Sequence, residues 1–138
     1  MQQSPPKLKS QYTVHWLIHP SKNFEQTVEF YTKVLGLTLL DQGYAKTDFH
    51  FNRYAQIKFE NDITLEIVEP KEQYKNLFTH PIHCLRVNDL AAHRKELIIQ
   101  GVVFISEILT SGDGWGWTYF KGTDHTIIQL EGPYEAPS

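Results

Sequence analysis

The stretch that decides how this chain folds is "HTIIQLEGP", His125 to Pro133, set beside "ITLEIVEP", Ile63 to Pro70. Both runs are short, rich in β-branched residues and closed by proline, the pattern of a strand that stops where the ladder loses a donor. Each carries one polar side chain among apolar ones, Gln129 in the later run and Glu66 in the earlier, 63 residues apart. Reading outward, other pieces recur at nearly the same interval. Asn23 and Asp89, both good helix N-caps, lie 66 residues apart, and Gly36 and Gly101, which stop the helical patterns, lie 65 apart. In the first helix Gln26 completes a capping box with Asn23, and Phe24, Val28, Tyr31 and Leu35 fall at helical spacing.

A strand precedes each helix, "YTVHWLIHP" in one case and "IHCLRV" in the other. Three strand-like stretches follow each: "LTLLDQGY", "YAQIKFE" and "ITLEIVE", then "VVFISEIL", "WGWTYFK" and "TIIQLE". The chain therefore predicts an α+β fold made of duplicated βαβββ modules. The expected boundaries are a flexible tail over 1–11, a first module over 12–70, a linker over 71–80, a second module over 81–133 and a tail over 134–138.

Composition narrows the function classes. Thirteen Lys and Arg are scattered among 16 Asp and Glu for a net charge of −3, which gives neither a nucleic-acid footprint nor a polybasic membrane patch. The single cysteine, Cys84, excludes an internal disulfide and suits a reducing compartment. The "MQQSPPKLKSQ" start has no apolar signal core, and no apolar run is long enough to span a bilayer. A cytoplasmic protein acting on a small molecule is the expectation. "SGDGWG" is not followed by a strand, turn and helix, so neither a phosphate loop nor a nucleotide cofactor is indicated.

Three segments carry a family resemblance. "VEFYTKVLGL", "LRVNDL" and "YFKGTDHTIIQLEGP" resemble signatures of the vicinal oxygen chelate superfamily, which includes glyoxalase I, bleomycin-resistance proteins and extradiol dioxygenases. The resemblance implies two modules whose curved sheets enclose a pocket, a homodimer, and metal ligands on the first and fourth strands of each module. In this chain those positions are His15, Glu66, the Ile82–His83 pair and Gln129. Placing Val14, Trp16 and Ile18 against the helix turns His15 toward the pocket, with His19 near its mouth. Counting back from "VND" puts the family's second histidine on Ile82, whereas a bulge after Pro81 would turn His83 inward.

The resemblance implies a glyoxalase-like lyase or isomerase whose divalent ion (Zn, Ni, Mn or Fe) chelates an oxygen-bearing substrate, with Glu66 moving the proton. Gln129 can give a metal an amide oxygen but cannot serve as a base. The alternatives are a metal-free module that sequesters a flat ligand, a dioxygenase, and an interaction domain with a vestigial pocket. Trp115, Trp117 and Tyr119 alternate along one strand face and would stack a planar ligand, while Arg86 would pair with an anionic group.

Overall fold

In the computed structural model, which describes residues 12–137, the two sets of elements follow one another along the chain. The first set is β1 (Thr13–Pro20), α1 (Phe24–Glu29), β2 (Leu39–Tyr44), β3 (Phe51–Lys58) and β4 (Thr64–Pro70). The second is β5 (Ile82–Arg86), α2 (Leu90–Ile99), β6 (Leu109–Thr110), β7 (Trp115–Lys121) and β8 (Ile127–Pro133). The tail expected over 1–11 lies outside the described residues, as does Ser138. The stretch 71–80 holds a 3-10 turn, Glu72–Tyr74, and the buried Phe78.

All eight strands form one sheet in the order β2-β3-β4-β1-β5-β8-β7-β6. Within each set the first strand runs parallel to the fourth, β1 beside β4 and β5 beside β8, because a helix carries the chain across the sheet. The sets join where β1 and β5 pair antiparallel, with Trp16 opposite Cys84 and Ile18 opposite Ile82. That pairing makes one curled half-barrel of the two modules.

Period-two alternation divides the side chains between its faces. On the outer face, α1 covers Ala55, Ile57, Leu65 and Ile67 through Phe24, while Leu90 of α2 packs on Val87, Phe120 and Leu130. On the concave face Ile18, Val68, Ile82, Cys84 and Tyr119 pack together with Phe51 and Phe78.

Both helices start as their caps require. Asn23 Oδ1 accepts from the Gln26 amide at 3.4 Å and Asp89 Oδ1 from the Ala92 amide at 3.1 Å. The first helix is not α-helical to its end, however. Over Phe30–Val34 it widens to a π-helix, with the Leu35 amide donating to Phe30 O at 3.0 Å, beside a Thr32 hydroxyl that donates to Val28 O at 2.8 Å. Gly36 and Gly101 then leave their helices at φ 72° and 96°, conformations that glycine adopts without a Cβ clash.

The run "VVFISEIL" departs from its expected strand. Only Leu109–Thr110 pairs regularly with β7, plus an isolated bridge from Phe104 to Phe120. Ser106 interrupts the ladder, because its hydroxyl, in place of a backbone carbonyl, accepts the Tyr119 amide at 3.1 Å.

Candidate functional site

The concave face encloses a cavity of about 690 Å³. Strand parity decides what lines it. Trp16 enters from β1, Tyr54 and Gln56 from β3, and Glu66 from β4. Arg86 enters from β5, Trp115, Trp117 and Tyr119 from β7, and Gln129 and Glu131 from β8. Phe49 closes one side with its ring edge-on to Trp117, centroids 4.8 Å apart. Lys46 and Asp113 sit on loops at the lining. The chamber is thus walled by aromatic rings and has two separate polar clusters.

Glu66 centres the first cluster. Gln56, its partner across the β3–β4 hairpin, donates Nε2–H to Oε2 at 2.9 Å, and Trp16 Nε1 lies 3.5 Å from Oε1. Both donors are neutral. Burial pushes the Glu66 carboxyl above the ordinary carboxylate range, and nearby Glu131 adds to the rise, while the Gln56 and Trp16 bonds partly offset it.

Glu131 centres the second cluster, with its side chain only 4% exposed. Arg86 donates from Nε to Oε2 at 3.1 Å and places Nη2 3.0 Å from the same oxygen, while Gln129 donates Nε2–H to Oε1 at 3.0 Å. The guanidinium also stacks over Trp115, 4.8 Å from the ring centroid. This carboxylate is therefore charge-balanced, and Glu66 is not.

Glu66, Gln129, Arg86, Trp115, Trp117 and Tyr119 all come together at the cavity. The three histidines do not. His15 is exposed at a bulge, where the β1–β5 register shifts between Val14 and Trp16, and the chamber face of β1 carries Trp16 and Ile18. The assumption that failed is the packing of the Val14, Trp16, Ile18 face on the helix: Leu17 packs there instead. His19, on the helix side, has Nδ1 3.1 Å from the Tyr31 hydroxyl, and burial lowers its pKa. No bulge turns His83 inward: it is exposed, while Ile82 and Cys84 are buried in the concave-face core. Tyr119, although it borders the cavity, is 1% exposed, so it forms floor more than stacking platform.

Trp16, Gln56 and Glu131 escaped the sequence reading. Trp16 precedes Asn23 by the same seven residues that separate Ile82 from Asp89, a count that reveals it as the equivalent of Ile82. Glu131 shares the parity of Gln129, two residues on along one strand.

A divalent ion needs nitrogen, sulfur or oxygen donors that converge on one point. The first-strand positions of the two modules present an indole and a sec-butyl group, Trp16 and Ile82, neither of which ligates a metal. Glu66 is then the single carboxylate of the two clusters left to ligate an ion, because Glu131 is already paired with Arg86 and bonded by Gln129. No group of three or more His, Cys, Asp or Glu among the described residues is arranged to hold a metal ion. The residues present do not fit the ion that the resemblance implied.

Comparison with known proteins bears on the whole chain. The sequence model of the Glyoxalase/Bleomycin resistance protein/Dioxygenase superfamily matches residues 13–130. No curated protein sequence matches. Among solved structures, a hypothetical protein from Bacillus halodurans C-125 superposes with a TM-score of 0.72 at 14% identity, over 94% of this chain and 99% of that one. Methylmalonyl-CoA epimerase from Mycobacterium tuberculosis gives 0.67 at 20% identity, over 96% and 94%. A variant of 4-hydroxymandelate synthase from Streptomyces coelicolor gives 0.62 at 14% identity, over 92% of this chain and 50% of that one. At these identities the likeness is one of fold.

Proposed function

This chain belongs to the glyoxalase/bleomycin resistance protein/dioxygenase superfamily, and from that premise we propose that it binds a flat organic molecule in its chamber without a metal ion. One observation carries this reading: the cavity is lined by aromatic rings from both modules while Trp16 and Ile82 occupy the two first-strand positions. A cavity of about 690 Å³ lies within the size range of small-molecule sites, and its few polar groups converge as such sites require. Rings from β1, β3 and β7 bind a planar ligand through burial and offset or edge contacts.

A titration reads this directly. Protein freed of metal by a chelator is mixed with acridine, a planar probe, and the quenching of its tryptophans is followed. Saturable 1:1 quenching that is indifferent to added Zn, Ni, Mn or Fe is the expected result. Binding that appears only with one equivalent of a divalent ion overturns the reading and returns the metal-dependent lyase or isomerase.

A second reading, proton transfer without a metal, is favoured by Glu66 alone. A carboxyl raised by burial at the wall of a cavity is a stronger base than an ordinary carboxylate and stands where it can take a proton from a bound carbon or oxygen acid. Turnover of a ligand found by the titration, abolished in Glu66→Gln with binding retained, separates this enzyme from a pure binder.

A further inference from the structure

The chamber contains five formally charged side chains: Glu66, Glu131, Asp113, Arg86 and Lys46. Their arrangement distinguishes them more than their count. Arg86 and Glu131 neutralise each other through the contacts at 3.0 and 3.1 Å, and Trp115 covers the guanidinium. Lys46 donates to Ser111 O at 3.3 Å, and Asp113 accepts from the Trp115 amide at 3.3 Å, so both lie in one loop region of the lining. Lys46 and Asp113 are exposed to solvent, so the charge held inside the chamber without an ionic partner is Glu66. It stands on a central strand, with hydrogen bonds only from an indole and an amide and with no ion-pair partner among the described residues.

A carboxylate in this setting is incompletely compensated, because neutral donors stabilise its charge less than a cation does. The rings around it work in the same direction. The faces of tryptophan and tyrosine are electronegative, so an aromatic wall that merely accepts an apolar ligand attracts a positively charged one more strongly. An anionic ligand meets the opposite conditions: Arg86 is already engaged, and Glu66 repels it.

We propose that the chamber selects an aromatic or conjugated nitrogen cation, whose charged N–H group pairs with Glu66 while its ring system lies against the aromatic wall. This deepens the binding reading given above and rests on it. Glu66 replaces the water around the ligand's nitrogen, and the rings stabilise the charge that spreads over the conjugated system. The Glu66–Gln129 difference between the modules takes on a purpose here: the first module supplies the charge, and the second supplies an amide and an internally neutralised pair.

The test uses two probes of one shape. At about pH 8, 9-aminoacridine is a cation and acridine is neutral. Dissociation constants for both are measured by calorimetry on the full chain, wild type, Glu66→Gln and Glu60→Gln. The cation is expected to bind at least about tenfold more tightly than acridine. Glu66→Gln should remove about tenfold from the cation and less than about twofold from acridine, and Glu60→Gln, on an exposed turn outside the chamber, should change either by less than about twofold. Equal affinity for the two probes in the wild type overturns the charge selectivity while leaving the planar-ligand reading standing. An equal loss for both probes in Glu66→Gln, or an equal loss of the cation in both variants, overturns the pairing with Glu66. Binding of neither probe overturns both readings together. The wild-type comparison needs no variant, so the proposal stays testable if Glu66→Gln does not fold.

Discussion

A half-buried carboxylate with neutral neighbours makes the folded state sensitive to acid in a direction opposite to that of most carboxylates. Because burial raises the Glu66 carboxyl above its unfolded value, the folded chain takes up this proton first as pH falls. The contribution of Glu66 to stability is therefore greatest below the unfolded value and is lost as pH rises through the folded one. Urea unfolding of wild type and Glu66→Gln across this window should give a difference that grows as pH rises, with the variant relatively more stable near neutrality; parallel curves would refute it. Glu69 behaves in the ordinary way. Arg53 bonds both its oxygens, at 2.7 and 3.1 Å, and holds its carboxyl below the usual range, so its contribution disappears only as pH falls through that lowered value. Arg86 gives a second residue-scale prediction. Arg86→Met leaves the buried Glu131 carboxylate with only the Gln129 amide as partner, which should cost about 3 kcal/mol in urea unfolding, a loss that Glu131→Gln in the same chain should largely reverse. At this scale the sequence is unevenly legible. Glu66, Gln129 and Arg86 were legible because strand parity is strict once one face is known. His15 was misplaced because β1 is a central strand, flanked by β4 and β5, and both of its faces pack, so apolarity alone does not say which one meets the helix.

Elements were legible wherever a strong local signal marked them. Asn23 and Asp89 cap as expected, and Gly36 and Gly101 end their helices, because caps and left-handed glycines act over a few residues. At both departures a hydroxyl bonds a backbone group. Thr32 bonds the helix carbonyl of Val28 beside the π-helical turn, and Ser106 replaces a ladder carbonyl before β6. Neither residue looks unusual in a strand or helix pattern, so periodicity could not reveal them. Ser106 also matters for the chamber, since Tyr119, whose amide it accepts, borders the cavity and is fully enclosed. Ser106→Ala leaves that buried amide without its acceptor and removes the 3.1 Å hydroxyl contact with Thr118. The expected cost is about 1–3 kcal/mol in chemical unfolding, with weaker quenching by acridine as Tyr119 and its strand relax. A loss below about 0.5 kcal/mol would mean that water or a shifted carbonyl replaces the serine.

The whole molecule depends on the seam between β1 and β5, because each module supplies only part of the chamber. Trp16, Tyr54 and Glu66 come from the first, and Trp117, Arg86 and Glu131 from the second. The duplication was legible from spacing alone, but the joining of the two halves was not, since no local pattern states which strand of one module meets which of the other. Two consequences follow for stability. Gly132 lies where β8 passes β5, and a Cβ there would press on the Val87 carbonyl, whose own amide bonds Glu131 O at 2.9 Å. Gly132→Ala should therefore destabilise by about 3 kcal/mol or more, as a backbone contact yields less readily than a side chain. A ligand spanning the chamber acts in the opposite sense. It binds only when both modules are folded and joined, so a ligand at a hundredfold excess over its Kd should add about 2.7 kcal/mol to the unfolding of the entire chain. The transition should remain single, with fluorescence from the tryptophans in β1 and β7 and far-UV dichroism moving together to the higher midpoint. If the ligand instead split the transition, shifting the tryptophan signal and leaving part of the dichroism at its original midpoint, the binding site would belong to one module, and the shared chamber would not be where the ligand sits.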